Sequence, residues 1–187
     1  MTRRRNAIAE AFIAHRLEMQ ISPAWRHLPD KARRLLDRLE VEHMEHGGAE
    51  NGKLRCTYSN WQEAGLKRRN DIALAIRQCA ALGFLDVTRQ GWCSVSEFRT
   101  PSLYRLTYVF GRKDKRTGAA GNPTDEWRRI KSDDDATTAL AKASAHVQQD
   151  TEQAHRKRRS LAENIDSSNA RDTRTVVSPA LPIARSL

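Results

Sequence analysis

The chain has 187 residues, of which 39% are hydrophobic, and it carries a formal net charge of +10. That length suits one domain with tails or two small domains, and the basic excess favours an acidic partner, with nucleic acid as the first candidate. A membrane surface is disfavoured because no stretch joins a basic face to a large apolar one, and no apolar run approaches transmembrane length. Three cysteines without CxxC spacing indicate a reducing cytosol instead of a disulfide framework.

Apolar residues are concentrated in the middle of the chain. We therefore expect one core of about ninety residues within residues 22–110, preceded by a basic, helix-favouring arm at 1–21. A linker with a short tryptophan-containing helix is expected at 111–131, and a mostly disordered polar tail at 132–187. Basic residues exceed acidic ones by four to two in the arm, fourteen to ten in the core region and fifteen to eleven in the remainder. The positive charge is thus not a property of one tail.

The N-terminal arm begins with a basic run and continues into a helix-favouring segment at 7–14. Ile8, Phe12 and Ile13 form a weak apolar stripe in this segment. The basic run at 3–5 has two interpretations: it contacts phosphate or the minor groove, or it is a solvated terminus.

A long support helix is predicted for residues 30–46. Ser22 and Pro23 suit the N-cap and first position of a short turn before it, and Trp25 is expected to cover one end of the core. The helix stops at a double glycine. Its core stripe repeats at three- and four-residue steps: Ala32, Leu35, Leu36, Leu39 and His43. His43 and His46 are spaced for a shared metal, but a structural zinc site needs four ligands and no third ligand stands nearby in the sequence, so a polar helix end is favoured.

A helix-turn-helix is predicted at residues 58–82. Ser59 is the expected N-cap, Gln62 would complete a capping box, and Gly65 would end the first helix. Trp61 is expected to pack inward. The second helix is predicted at 68–82, with Gly83 after its end and an apolar stripe formed by Ile72, Ile76, Cys79 and Ala80.

Basic side chains crowd the start of this second helix. Cations at a helix N-terminus oppose the helix macrodipole and gain nothing there for helix stability. A polyanionic partner would explain them, since helix-turn-helix proteins push the N-terminus of their second helix into the major groove. The alternative is a solvated basic face. The residues concerned are Lys67, Arg68, Arg69 and Asn70, with Arg77 further along.

Two strands are predicted after the helix-turn-helix, at residues 85–89 and 103–109, because both segments are rich in β-branched and aromatic residues. Residues 90–101 between them form a long loop that contains Trp92. A short strand at 53–57 precedes the first helix. This order of elements predicts an α+β fold with a three-helix core, a small antiparallel sheet and a wing.

In its basic turn and in residues 72–77 and 81–85, the sequence resembles winged helix-turn-helix DNA-binding domains, especially those of bacterial regulators and plasmid replication proteins. It is also similar to helix-turn-helix proteins of alphaproteobacterial plasmids and mobile elements in residues 46–52 and 126–130. The resemblance covers about half of the chain. It implies a winged helix that binds double-stranded DNA in the cytoplasm, in association with the nucleoid.

Helical phase divides the expected DNA contacts. Lys67 and Asn70 are expected to position the protein on the DNA backbone, and Leu74 is expected to contact a thymine methyl or a neighbouring subunit. Candidates for bidentate contact with guanine are Arg68, Arg69 and Arg77. Five further side chains, from the first helix and the wing, are expected to approach the DNA backbone or the minor groove: Ser59, Asn60, Arg89, Gln90 and Arg99.

The C-terminal part contains one segment with apolar residues. Thr124 can cap a short helix that places Trp127 and Ile130 on one face. This segment, at 123–130, either folds back onto the domain, which we favour, or docks on a protein partner; the tail is a second candidate for such a contact. A short basic cluster at 155–159 suits non-specific attraction to phosphate.

The sequence therefore favours a sequence-specific double-stranded DNA-binding protein that acts as a bacterial transcriptional regulator, alone or as a homodimer. Replication or maintenance of a plasmid or mobile element is the alternative with the same chemistry, and a winged-helix protein adaptor is the alternative without it. An enzyme is not expected, because the sequence lacks a nucleophile elbow, an HExxH motif and a cofactor fingerprint. No cofactor or metal is implied.

Overall fold

The computed structural model describes residues 11–93, 99–111 and 120–172. The helices are α1 (Leu17–Gln20), α2 (Pro23–Arg26), α3 (Asp30–Glu45), α4 (Tyr58–Glu63), α5 (Arg69–Ala81) and α6 (Asp133–Asp172), with a 3-10 helix at Glu126–Arg129. The strands are β1 (Leu54–Arg55), β2 (Leu85–Arg89), β3 (Trp92–Cys93), β4 (Arg99–Thr100) and β5 (Leu103–Leu106). The chain is thus an α+β protein, as predicted.

Helix α3 lies at the centre of the core. The five residues of its predicted stripe are all buried, as expected from their spacing. The helix packs against α5 and β1, and the buried Cys79 thiol donates a hydrogen bond of 3.3 Å to the Ala32 carbonyl. The preceding turn is also confirmed, because the Ser22 side chain accepts a hydrogen bond from the Trp25 amide and Pro23 is the first residue of α2.

A three-stranded antiparallel sheet covers this helical layer, with strand order β1-β5-β2. β1 and β5 are shorter than the segments predicted at 53–57 and 103–109, because Thr57 already caps α4 and Thr107 turns to donate its hydroxyl hydrogen to the Gly83 carbonyl. The predicted loop at 90–101 contains β3 and β4, which pair with each other and prolong the hairpin.

Three helices end in the same way, each with a glycine of positive φ after the C-cap. After α4 the Gly65 amide donates to the Gln62 carbonyl and the Leu66 amide to the Trp61 carbonyl, which is the Schellman pattern. Gly83 follows α5 with φ of +79°. These glycines confirm the predicted helix ends.

The core includes residues on both sides of the 22–110 segment. Met19 is fully buried, Trp127 is 3% exposed and Ala136 is fully buried. The arm is not helical at 11–14, where the chain is irregular, and Phe12 is exposed while Ile13 packs on the core. Residues 3–5 and Ile8 lie outside the described residues.

The segment at 123–130 folds back onto the domain, which confirms the favoured interpretation. Its helix is of the 3-10 type, and the predicted cap at Thr124 is wrong. Asp125 precedes the helix with φ of 49°, while the Thr124 amide donates to the Thr107 carbonyl. The backbone of Trp127 passes so close to Gly83 that a Cβ on that glycine would lie 2.5 Å from the Trp127 nitrogen.

The polar tail predicted from residue 132 begins as helix α6. Ser132 and Asp135 form a reciprocal capping box, with hydrogen bonds of 3.1 and 3.0 Å between side chains and amides. Ala136 and Ala143, in the first turns of α6, are buried. The chain divides into a compact unit up to Val147 and a second one, Gln148–Leu187, of which residues 173–187 lie outside the described part.

Candidate nucleic-acid interface

The turn between α4 and α5 is built by a cap, a glycine and a buried anchor. The N-cap of α4 is Thr57 and not Ser59, and the capping box is completed by Asn60 and not Gln62. The Asn60 side-chain oxygen accepts a hydrogen bond of 2.8 Å from the Thr57 amide. After Gly65, Leu66 is fully buried. The turn is therefore fixed at both ends before the chain reaches the basic residues.

The basic residues after this anchor are exposed, as the sequence predicts. Lys67, Arg68, Arg69 and Asn70 are exposed in succession, and Arg68 is the N-cap of α5 with an extended backbone and no side-chain capping bond. Asp71, the acidic residue in the first turn, is paired with Lys31 at 2.9 Å. The guanidinium groups and the lysine thus project from a helix start whose backbone is rigidly held.

Tyr58 adds an aromatic side chain to this surface, which the sequence analysis did not single out. Its hydroxyl donates a hydrogen bond of 2.6 Å to the Lys67 carbonyl, and the Arg69 guanidinium lies 5.7 Å from the centre of its ring. The ring is 42% exposed. Tyr58 therefore links α4 to the turn and orients Arg69, a role that its position directly after the cap could have indicated.

The rest of α5 divides into a buried and an exposed face. Ile72, Ala75 and Cys79 are buried and Ile76 packs partly buried against the core, so the predicted stripe was right at Ile72, Ile76 and Cys79 and wrong at Ala80, which is exposed. Spacings of three and four place Ala75 in the core and turn Ala80 outward. Arg77 is exposed, as expected, whereas Leu74 is half-buried.

The hairpin contributes further polar side chains. Arg89 and Gln90 are exposed at the end of β2. From α4, Ser59 is also exposed, and its hydroxyl oxygen lies 2.9 Å from that of Thr57. Arg99 pairs through its backbone with Cys93, while its side chain and that of Trp92 lie outside the described residues. The structure thus places the basic start of α5 directly after the turn, whereas the side chain of Arg99, a predicted contact in the hairpin, is not described.

The described residues offer little other reactive chemistry. No cluster of three metal-ligating side chains occurs among them. Burial raises the pKa of the Cys56 thiol to about 12, and burial also raises the pKa of Cys79. Both thiols therefore remain protonated at neutral pH and are poor nucleophiles.

No protein-family model, curated protein or solved structure matches the chain. In the part that the structure describes, every helix is too short or too polar to be a candidate for crossing a membrane.

Proposed function

We propose that this chain is a winged helix-turn-helix protein that binds double-stranded DNA with sequence specificity and acts as a bacterial transcriptional regulator. The observation that carries the proposal is the exposed run at 67–70, presented at the N-terminus of α5 by a hydrogen-bonded turn whose last residue, Leu66, is buried. A recognition helix enters the major groove with this end first.

The order of elements supports the same proposal. A helix, a short strand, two helices joined by a tight turn and a hairpin follow one another, and the last strand lies between the other two. In this arrangement α5 would be the recognition helix and the hairpin that carries β3 and β4 would be the wing. Helix α5 packs against α3 and buries Ile72, Ala75 and Cys79, so that it would dock as a rigid part of the domain, and the Lys31–Asp71 ion pair joins the two helices at the surface.

The exposed side chains of α5 fall into the roles that DNA reading requires. Arg68, Arg69 and Arg77 would reach guanine edges, each bidentate contact contributing about 1–3 kcal/mol of discrimination. Lys67 and Asn70 would contact the DNA backbone, and Arg89 and Gln90 would contact the DNA backbone or the minor groove. Leu74 is half-buried, so only part of its side chain would be free for a thymine methyl.

Selection of bound duplexes from a random DNA library tests the proposal. We expect an enriched motif with the wild-type chain and none with Arg68→Ala/Arg69→Ala. The matched control is Arg156→Ala/Arg158→Ala, which removes the same charge from exposed positions in α6. This control should keep the motif and only weaken binding, with a smaller dependence of affinity on salt.

Retention of DNA without an enriched motif, equal in all three proteins, would refute specific recognition and favour the adaptor function. An enriched motif with two inverted halves would indicate binding as a homodimer. Occurrence of the motif in promoters, or instead as repeats in a replication origin, would separate transcriptional regulation from plasmid maintenance.

A further inference from the structure

A cavity of about 750 Å³ lies at the C-terminal end of α3, within the size range of small-molecule sites. Its walls come from residues 11–14, the double glycine after α3 and the residues that follow β5. Phe12 and Phe110 line it and are 59% and 58% exposed. The two phenylalanines give the cavity an aromatic lining, as small-molecule sites commonly have.

His43 places a buried polar side chain at the wall of this cavity. The residue is among those that line the cavity, although it is only 4% exposed, and its buried Nδ1 atom has no hydrogen-bond partner among the described residues. Burial lowers the pKa of His43, so the ring is neutral near pH 7. Buried polar atoms are nearly always paired, and an orphaned one is destabilising. A core histidine with only a packing role would be expected to have a partner for this nitrogen.

The charges at the rim are already matched. Arg16 and Asp125 both line the cavity and form an ion pair with each other, and the Arg16 guanidinium lies 5.9 Å from the centre of the Trp127 ring. A charged ligand would have to compete with this pair. A neutral ligand would not.

We propose that this cavity binds a small, neutral aromatic molecule that carries one hydroxyl or N–H group, whose ring covers Phe12 and Phe110 and whose polar group bonds to His43. Nδ1 is closed to water at present, but the χ2 torsion of histidine is broad, which allows the ring to turn this nitrogen toward a ligand. A hydroxyl suits either tautomer of the ring, because it both donates and accepts.

This site is separate from the proposed DNA surface. β5 begins beside the wing, where Leu103 pairs with Arg89, and ends where Leu106 pairs with Leu85. The cavity residues at 108–110 follow that far end. The inference therefore does not rest on DNA binding, and each can fail without the other.

Titration of the full chain at pH 7 with 2-naphthol and with naphthalene tests the proposal. The two probes share their ring system and differ by one hydroxyl. We expect saturable binding of both, with 2-naphthol bound about 5-fold more tightly, the usual net effect of one hydrogen bond. His43→Phe should bind 2-naphthol no more tightly than naphthalene, because the hydroxyl would lack its partner. Ala14→Trp, at an exposed alanine that lines the cavity, should bind neither, whereas Ala80→Trp on the exposed face of α5 should bind like the wild type.

Equal affinity of the wild-type chain for both probes would overturn the role of His43, and this comparison stands even if the histidine variant fails to fold. His43→Leu provides a second variant. Absence of saturable binding, or binding that survives Ala14→Trp, would overturn the site itself. Binding that appears only after deletion of residues 1–10 would also overturn it, because it would show that the chain fills its own cavity.

Discussion

Gly83 has a positive φ and also lies against the backbone of the 3-10 helix. Gly83→Ala should therefore destabilise the fold more than the same substitution at a glycine that only ends a helix. Its φ is +79°, where an L-residue is strained by about 1–2 kcal/mol. An added Cβ would also lie 2.5 Å from the Glu126 carbonyl carbon and 2.5 Å from the Trp127 nitrogen. Those are backbone atoms, so the 3-10 helix would have to move as a unit.

Gly65 supplies the matched control. Its φ of +86° imposes the same strain, but the nearest atom to an added Cβ is a terminal nitrogen of the Arg34 side chain, at 2.9 Å, and that flexible group can move away. Gly65→Ala should therefore lower the free energy of unfolding by about 1–2 kcal/mol. Gly83→Ala should cost about 3–5 kcal/mol, because displacing the 3-10 helix also exposes Trp127, whose loss is comparable to a large core truncation.

Urea unfolding of both variants measures the difference, and hydrogen exchange locates it. We expect faster amide exchange across Glu126–Arg129 in Gly83→Ala and no change there in Gly65→Ala. Equal losses of stability in the two variants would refute the reasoning, because the close approach of the 3-10 helix to Gly83 would then carry no energy.

Two further predictions concern buried polar groups. The side chain of Asn51 donates from Nδ2 to the Leu106 carbonyl at 2.9 Å and accepts from the Leu106 amide at 2.8 Å. Asn51→Ala should therefore lower the free energy of unfolding, measured in urea, by about 2–4 kcal/mol, because both backbone groups lose their partner. A loss below about 1 kcal/mol would contradict this. The hydrogen bond to Glu40 raises the pKa of His15, so the stability from this pair should be complete below pH 6.5 and disappear as the pH rises through the higher folded pKa. The pKa of His43 shifts in the opposite direction, so the wild type alone does not isolate the effect of His15. The quantity to measure is therefore the unfolding free energy of the wild type minus that of His15→Gln. A difference that does not fall between pH 6 and pH 9 would refute the prediction.

The sequence predicted most helix ends because they depend on local chemistry. Glycine is the residue that adopts positive φ readily, so Gly65 and Gly83 could be assigned without tertiary information. The apolar stripe of α3 could also be predicted from the sequence, because its helical spacing is kept over about three turns. Where two residues can serve one role, local rules are weaker. Threonine and serine are both preferred at N-caps, so Thr57 and Ser59 were both candidates, and the helix begins after Thr57.

Long-range contacts account for what the sequence could not show. Helix α6 has a polar composition, and residues 136–163 have helical propensity without a sustained apolar stripe, so the sequence alone predicted at most a marginal helix there. Trp127 joins the core because Gly83, more than forty positions earlier, leaves room for its backbone. For the candidate site, the basic residues were visible in the sequence. The Tyr58 contact and the unpartnered nitrogen of His43 depend on residues that meet only in the folded chain.

Helices α5 and α6 show that this chain can cap a helix start with side chains and does not do so at α5. The first turn of α6 carries three acidic residues and a capping box, both of which complement the macrodipole. The start of α5 has Arg68 at the N-cap without a side-chain bond, followed by another arginine. Cations there are unfavourable by about 0.3–1 kcal/mol each. Removing these cations relieves that penalty and also removes the contact between Arg69 and the Tyr58 ring. Because the two effects oppose each other, Arg68→Ala/Arg69→Ala should fold about as stably as the wild type, and any loss of DNA recognition in this variant would reflect the missing guanidinium groups and not unfolding.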